Sequence, residues 1–181
     1  MRSSQPREID LIVLHCSDTR PSQNFTIENL KASHKREGFG AYPGYHFYTT
    51  RDGTLYYCRP LSMPGCHVKG YNAHSIGICY EGGHRDDPPL IPAGTLQDLS
   101  KLASGAASHP PLRGDGRVFE DNRTAEQLIT LHFLLCTLHK LFPQARICGH
   151  RDLPGVKKAC PCFDAEKEYA YIQQSPVAKT L

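Results

Sequence analysis

The chain has 181 residues, 39% of them hydrophobic and 22% charged, which is enough apolar material for one core and excludes wholesale disorder. Its net charge of +3 comes from 21 basic and 18 acidic residues, a balance too mild for a dedicated nucleic-acid binder. No run of about 18 apolar residues is present, so we expect no membrane insertion. The first residues lack a signal-peptide pattern, so we expect synthesis in the cytoplasm.

The first elements of the chain alternate between strand and helix patterns. Residues 9–14 form a short apolar run rich in β-branched side chains, which is typical of a buried central strand that leads directly into His15. Thr26 is placed to cap a helix that carries Leu30 and His34 on one side. The sequence therefore predicts a strand, a loop that begins after His15, and an amphipathic helix.

A β-hairpin is the clearest local signal and covers residues 45–59. Two β-rich runs flank an Asp-Gly pair at 52–53, which predicts a type I′ turn. Period-two alternation predicts that Tyr45 and Phe47 share one face, with His46 on the other. Because His46 then faces away from Tyr45, it is a poor candidate for a metal ligand.

The composition changes after a further predicted strand at 75–80. Many Pro, Gly, Asp and Ser residues follow at about 84–116, with a short helix predicted at 95–103. This segment lacks the apolar residues for a core of its own, so we expect a surface insertion. Thr124 then begins a capping box with Gln127, which opens a strongly apolar helix.

The end of the chain returns to a strand at 145–149, followed by His150, and Asp164 is placed to cap a last helix that extends to about residue 173. Strands and helices alternate, but the hairpin is antiparallel. We therefore predict an α/β fold in which a mixed central β-sheet is flanked by helices on both faces. One domain is expected to span 1–181, with the insertion at its surface.

Three residues distant in sequence have the chemistry of a metal site. His15 and His150 each follow a predicted buried strand, at the edge of the sheet where ligand sites form in open α/β folds. Cys160 lies close to the second histidine. Two imidazoles and one thiolate leave the fourth position of a tetrahedral zinc ion open for water, as a catalytic site requires.

Five ordered blocks of sequence resemble a known family. They are IVLHCS at 12–17, GYHF at 44–47 with RDGT at 51–54, HVKGYN at 67–72, SIGIC at 75–79, and HRD at 150–152 with KACP at 158–161. Together they resemble the type 2 N-acetylmuramoyl-L-alanine amidases, which include amidase-type phage lysozymes and the peptidoglycan-recognition proteins. The blocks keep the family's order and cover nearly the whole chain apart from the insertion.

The resemblance implies roles for specific residues. It implies a zinc ion as cofactor, with His15, His150 and Cys160 as its ligands. It further implies that Tyr45 and Lys158 are catalytic, through a hydrogen bond to the reacting groups and a positive charge beside the developing oxyanion. A histidine at the rim of the active site, at position 67, is expected to contact substrate.

The function implied is hydrolysis of the amide between N-acetylmuramic acid and L-alanine in peptidoglycan. We expect a monomer with no nucleic-acid partner, and an endolysin-like enzyme that reaches the cell wall after release or export. The alternative is a recognition module that binds peptidoglycan fragments without cleaving them. Family members that only bind usually lack the cysteine ligand, and Cys160 is present here.

Two assignments near the third ligand stay open. The interval from His150 to Cys160 is about two residues longer than in similar phage amidases, so either Lys157 or Lys158 could face the metal. Cys162 could exchange with Cys160 as ligand, although Cys160 is favoured because it directly precedes a proline, as the motif requires.

A rival metal site is possible on the apolar helix. His132, Cys136 and His139 are spaced i, i+4, i+7 and share a face. Their leucine neighbours favour ordinary packing of these residues over a second zinc site.

Overall fold

The computed structural model describes residues 7–86 and 118–174. Within them, five strands form one sheet in the order β3-β2-β4-β1-β5. The strands are β1 (Leu11–Cys16), β2 (Phe47–Thr49), β3 (Leu55–Tyr57), β4 (Ser75–Tyr80) and β5 (Arg146–Gly149). β4 pairs in parallel with both β1 and β2, β5 pairs in parallel with β1, and β2 and β3 are antiparallel. The predicted mixed sheet is confirmed.

Helices cover both faces of this sheet, as predicted. They are α1 (Ile27–Arg36), α2 (Ala125–Leu141), α3 (Ala165–Glu168) and α4 (Ala170–Gln174). Leu30 of α1 packs with Tyr48 on one face, whereas Leu131 of α2 and Ile172 of α4 belong to the larger core on the other. No helix in these two described stretches is both long enough and apolar enough to cross a membrane.

Alternation along β1 determines which face each of its side chains joins. Ile12 and Leu14 belong to the core under α2, and Val13 belongs to a cluster on the α1 side of the sheet. His15 follows Val13 by two residues and so lies on the α1 side. The sequence placed His15 after the strand, but β1 continues through Cys16 because parallel pairing with β4 extends to Tyr80.

The hairpin forms, but its turn is not type I′. The Gly53 N–H donates to the Thr50 carbonyl (2.9 Å), and within the connection only Gly53 has a positive φ, of 81°. A type I′ turn needs positive φ at both central residues. Instead, the Asp52 carboxylate accepts hydrogen bonds from Thr50 Oγ1 and the Thr54 N–H, which holds a longer connection together.

The predicted alternation fails at Tyr45. This ring packs with Tyr48 on the α1 side, while Phe47 joins the core under α2, because regular strand geometry begins only at Phe47. His46 Nδ1 accepts a hydrogen bond from the Gly77 N–H (3.0 Å), and its Nε2 lies 3.0 Å from the Met63 carbonyl. Both of its ring nitrogens are therefore occupied.

The predicted helix caps are present. Thr26 and Thr124 each accept a hydrogen bond from the backbone N–H three residues on, and Asp164 caps α3 in the same way. The last helix, predicted as one, is two short helices that divide at Tyr169. There the chain leaves helical geometry, and the Tyr169 hydroxyl accepts a hydrogen bond from Arg123 (3.1 Å).

Most of the predicted insertion at about 84–116 lies outside the described residues, as does the helix predicted at 95–103. His84, at its start, forms an isolated antiparallel bridge with Phe119 just beyond its end. The ends of the segment therefore meet beside the sheet.

Candidate metal and catalytic centre

Three side chains converge at the carboxyl ends of β1 and β5. One ligand atom each from His15, His150 and Cys160 lies within 4.8 Å of the others, and His15 Nδ1 is 3.8 Å from Cys160 Sγ. His150 opens a 3₁₀ turn, His150–Asp152, directly after β5. The Cys16 N–H donates to Cys160 Sγ (3.2 Å), so the end of β1 positions the loop that carries this thiol.

The protonation states of these three groups favour binding of a metal cation. Burial, with the nearby positive charge of Lys158, lowers the pKa of His150 to about 4. Burial is also the largest cause that lowers the pKa of His15 well below its usual range, so both imidazoles are neutral near pH 7. Burial raises the pKa of the Cys160 thiol well above its usual range, so a thiolate here needs a neighbouring cation. The donor set fits zinc.

His67 contacts the first histidine and also lines the cavity. Its Nδ1 is 3.0 Å from His15 Nε2, and its own Nε2 is 3.2 Å from Ser75 Oγ. Since His15 Nε2 is engaged in this contact, its Nδ1 is left facing Cys160. Glycines make room for the His67 ring: a Cβ on Gly77 would lie 2.6 Å from its Cγ, and one on Gly65 would also collide with it.

Tyr45 lies beside this cluster, with its ring centroid 5.0 Å from that of His15 and 5.2 Å from that of His34. Burial raises the pKa of Tyr45 well above its usual range, so its hydroxyl stays protonated and can donate a hydrogen bond. Lys158 lines the same cavity, and its charge helps to lower the pKa of both histidines. Both lysines are exposed, but Lys157 does not line the cavity.

The cavity above these residues has a volume of about 340 Å³. Sequence reasoning missed six residues that line it: Ser33, His34, Glu37 and Phe39 on and after α1, and Asp18 and Phe119. The position of His34 on the buried side of its helix was a usable signal, because that side faces the sheet beside His15. The pair of Asp18 and His84 had no signal, since the two residues are 66 positions apart.

The other candidate ligands are not members of this cluster. Cys162 Sγ contacts Cys16 Sγ at 3.7 Å and donates to the Gly83 carbonyl. On α2, His132 Nδ1 is 2.6 Å from the Tyr171 hydroxyl. Across residues 7–86 and 118–174, the only His, Cys, Asp and Glu cluster of three or more with metal-ligand spacing is His15, His150 and Cys160.

Comparison with known proteins agrees with this geometry. Residues 5–163 match the family model described as N-acetylmuramoyl-L-alanine amidase. The chain belongs to this amidase family. The amidase is 33% identical over 163 residues to the endolysin of Escherichia phage T7, an alignment that covers 90% of this chain and 87% of the relative.

Solved structures share the fold. N-acetylmuramoyl-L-alanine amidase LysC from Clostridium intestinale URNW superimposes with a TM-score of 0.61 at 24% identity, covering 94% of this chain and 88% of that one. Bumblebee PGRP-SA gives a TM-score of 0.58 at 17% identity, covering 90% of this chain and 80% of that one. The amidase is thus a cell-wall lytic, endolysin-like hydrolase that cleaves the amide between N-acetylmuramic acid and L-alanine. The non-catalytic alternative is set aside.

Proposed function

We propose that the amidase is zinc-dependent, with His15, His150 and Cys160 as the ligands and with Tyr45 and Lys158 acting on the transition state. The observation that supports this best is the convergence of the three donors within 4.8 Å at the base of a cavity. A zinc ion bound there supplies Lewis acidity, which lowers the pKa of water to about 7 and polarises a carbonyl oxygen.

The two remaining residues have complementary roles in amide hydrolysis. The oxygen of a water adds to the carbonyl carbon of the lactyl group, and the bond to the alanine nitrogen then breaks. Negative charge develops on the carbonyl oxygen, where the ammonium of Lys158 and the hydroxyl of Tyr45 stabilise it. The attacking water loses a proton and the leaving amine must gain one, so Lys158 or Tyr45 can donate its proton to the amine and recover one that comes from the water.

His67 is proposed to act at the rim, as the sequence predicted for substrate contact, and also to position His15. Its Nδ1 accepts the Nε2–H of His15, which leaves His15 Nδ1 unprotonated toward the metal site. Burial lowers the pKa of His67 well below its usual range, so the ring is neutral and its Nδ1 can accept.

Zinc content measured on matched cysteine variants tests the ligand assignment. Cys160→Ser is expected to lose zinc, whereas Cys162→Ser keeps about one ion per chain, because only Cys160 lies beside His15 Nδ1. Digested peptidoglycan should release stem peptides that begin with L-alanine and no new reducing sugar ends. Full zinc in the Cys160 variant would reject the assignment without affecting the product analysis.

We further propose that the amidase is a monomer of one domain, with a surface insertion at about 84–116 and no nucleic-acid partner. Its partner is peptidoglycan, which it reaches at the cell wall after synthesis in the cytoplasm and release or export. Light scattering tests the oligomeric state. A mass of twice 20.2 kDa, with the dimer also present at low concentration, would contradict a monomer.

A further inference from the structure

Two cysteines without a place in the metal site meet beside it. Cys16 ends β1, and its Sγ lies 3.7 Å from Cys162 Sγ, on the loop that follows Cys160. All eight cysteines are free thiols in this structure. A disulfide has a sulfur-to-sulfur distance of about 2.05 Å, so this pair needs a shift of less than about 2 Å to bond. We propose that Cys16 and Cys162 are a disulfide site, formed when the amidase meets a low-molecular-weight disulfide oxidant.

The surroundings leave space for this pair. Gly83 has a φ of 104°, and a Cβ placed there would lie 2.5 Å from Cys16 Sγ and 3.6 Å from Cys162 Sγ. A glycine therefore allows the two sulfurs to approach each other at this point. The Gly83 carbonyl also accepts the S–H of Cys162 (3.3 Å), which holds that side chain toward β1.

The two thiols differ in access, which sets the order of the chemistry. Cys162 is half-buried and Cys16 is buried. The sulfur of Cys162 attacks oxidised glutathione, forms a mixed disulfide and releases one reduced glutathione. The sulfur of Cys16 then attacks the Cys162 sulfur and releases a second. The two cysteines lose two electrons and two protons, and one oxidised glutathione becomes two reduced ones.

The bond would join the two segments that carry the proposed ligands His15 and Cys160. Cys16 directly follows His15 in β1, and Cys162 lies two residues after Cys160. The peptidoglycan substrate lies outside the reducing cytoplasm. Disulfides persist in such oxidising surroundings. Oxidation there would fix the ligand loop to the sheet and leave Cys160 free to bind metal. This inference rests on the proposed ligand set only where it expects Cys160 to stay reduced and bound to zinc.

Thiol counting and peptide mapping of the zinc-loaded full chain test the proposal. After incubation with oxidised glutathione, we expect two of the eight thiols to be lost, a cross-linked peptide containing Cys16 and Cys162, unchanged zinc and a raised Tm. Cys162→Ser should show no cross-link. Cys136→Ser, a half-buried cysteine on α2, is the matched control and should still form it.

Three outcomes would overturn the proposal: a glutathione adduct that stays on Cys162, no loss of thiols, or a cross-link that includes Cys160 and releases zinc. The zinc content of the reduced protein is measured in parallel. A zinc-free reduced protein would contradict the ligand set, whereas a zinc-loaded protein that forms no cross-link would contradict only the disulfide site.

Discussion

Adjacent lysines at the metal-site loop give the sharpest comparison between single residues. Lys158 lines the cavity and Lys157 does not. Loss of one donor to a developing oxyanion typically costs about a hundredfold to a thousandfold in rate. We expect Lys158→Ala to show a loss of that order in kcat with zinc content unchanged, and Lys157→Ala to be nearly silent. If Lys157→Ala were inactive and Lys158→Ala active, the longer loop would place Lys157, and not Lys158, at the metal site.

The hydroxyl of Tyr45 can be tested apart from its ring. Tyr45→Phe keeps the packing against His15 and His34 and removes only the hydrogen-bond donor. We expect a fall in kcat on the order of a hundredfold, with zinc content and unfolding temperature close to the wild type. Turnover assays on purified peptidoglycan measure this. Wild-type turnover in the variant would remove the hydroxyl from the mechanism.

The sequence contained no indication of a role for Ser75. In the structure, Ser75 contacts His67, which in turn contacts the proposed ligand His15. Ser75 Oγ lies 3.2 Å from His67 Nε2, and His67 Nδ1 lies 3.0 Å from His15 Nε2. Partners behind metal ligands typically contribute about tenfold to a hundredfold in metal affinity. Ser75 contacts His67 and not the ligand itself, so we expect Ser75→Ala to raise the Kd for zinc by about tenfold, the lower end of that range.

Ser33→Ala is the control for this variant, because Ser33 lines the cavity without a contact to His15 or His67. It should bind zinc as the wild type does. Competition with a chromophoric chelator measures both constants. Equal zinc affinity in the wild type and Ser75→Ala would show that Ser75 fills space only.

Helices and strands were predictable to the extent that their signals are local. The Thr26 and Thr124 caps and the strand at 75–80 follow from neighbouring residues, and each was placed correctly. The predicted turn type at 52–53 was wrong although its contacts are local, because the Asp-Gly pattern does not take account of the hydrogen bonds that the Asp52 carboxylate accepts from Thr50 Oγ1 and the Thr54 N–H. At the break between α3 and α4, the Tyr169 hydroxyl accepts a hydrogen bond from Arg123, 46 residues away, and such a contact leaves no local pattern.

The candidate metal and catalytic centre was predictable only where its residues belong to local sequence motifs. Motif order supplied His15, His150 and Cys160. It did not supply Asp18, which lines the cavity and contacts His84 from a distant part of the chain. Such a pairing follows from parallel strands that bring distant segments together, and a single sequence carries no trace of it. Ser75 was visible as a strand residue, but its contact with His67 was not.

The N-cap of α2 should contribute measurably to the free energy of unfolding. Thr124 Oγ1 accepts the Gln127 N–H (3.1 Å) and donates to the Arg51 carbonyl (2.6 Å). We expect Thr124→Ala to lower the free energy of unfolding by about 1–2 kcal/mol, because a cap is lost and a carbonyl loses its partner. Thr124→Ser keeps the hydroxyl and should lose much less. Urea unfolding measures both, and equal losses would show that the methyl group matters instead.

Across the whole molecule, the amidase keeps several histidines neutral inside the fold. His46 is fully buried, accepts the Gly77 N–H and lies beside Arg7 and Arg59. Burial is the largest cause that lowers its pKa from 6.5 to about 4. Burial also lowers the pKa of His34, whose Nδ1 accepts the Gly44 N–H (2.9 Å). The free energy of unfolding of the metal-free protein is therefore expected to depend on pH in the acid range.

The sign of this dependence follows from proton uptake by the unfolded chain. Above pH 6.5, His46 is neutral in both states and its buried hydrogen bonds contribute in full. As the pH falls from 6.5 to about 4, the unfolded chain binds a proton that the folded state excludes, so stability is lost across that window. At about 1.4 kcal/mol per pH unit, His46 alone accounts for roughly 3 kcal/mol by pH 4.

His46→Gln isolates this contribution. The variant is expected to be less stable than the wild type at pH 7, because the contacts to Gly77 and Met63 are disturbed. Between pH 7 and pH 4, however, it should lose less unfolding free energy than the wild type does, since glutamine takes up no proton. Urea unfolding of the zinc-free proteins at both pH values measures the two differences. An equal loss in both proteins would mean that folding does not lower the pKa of His46.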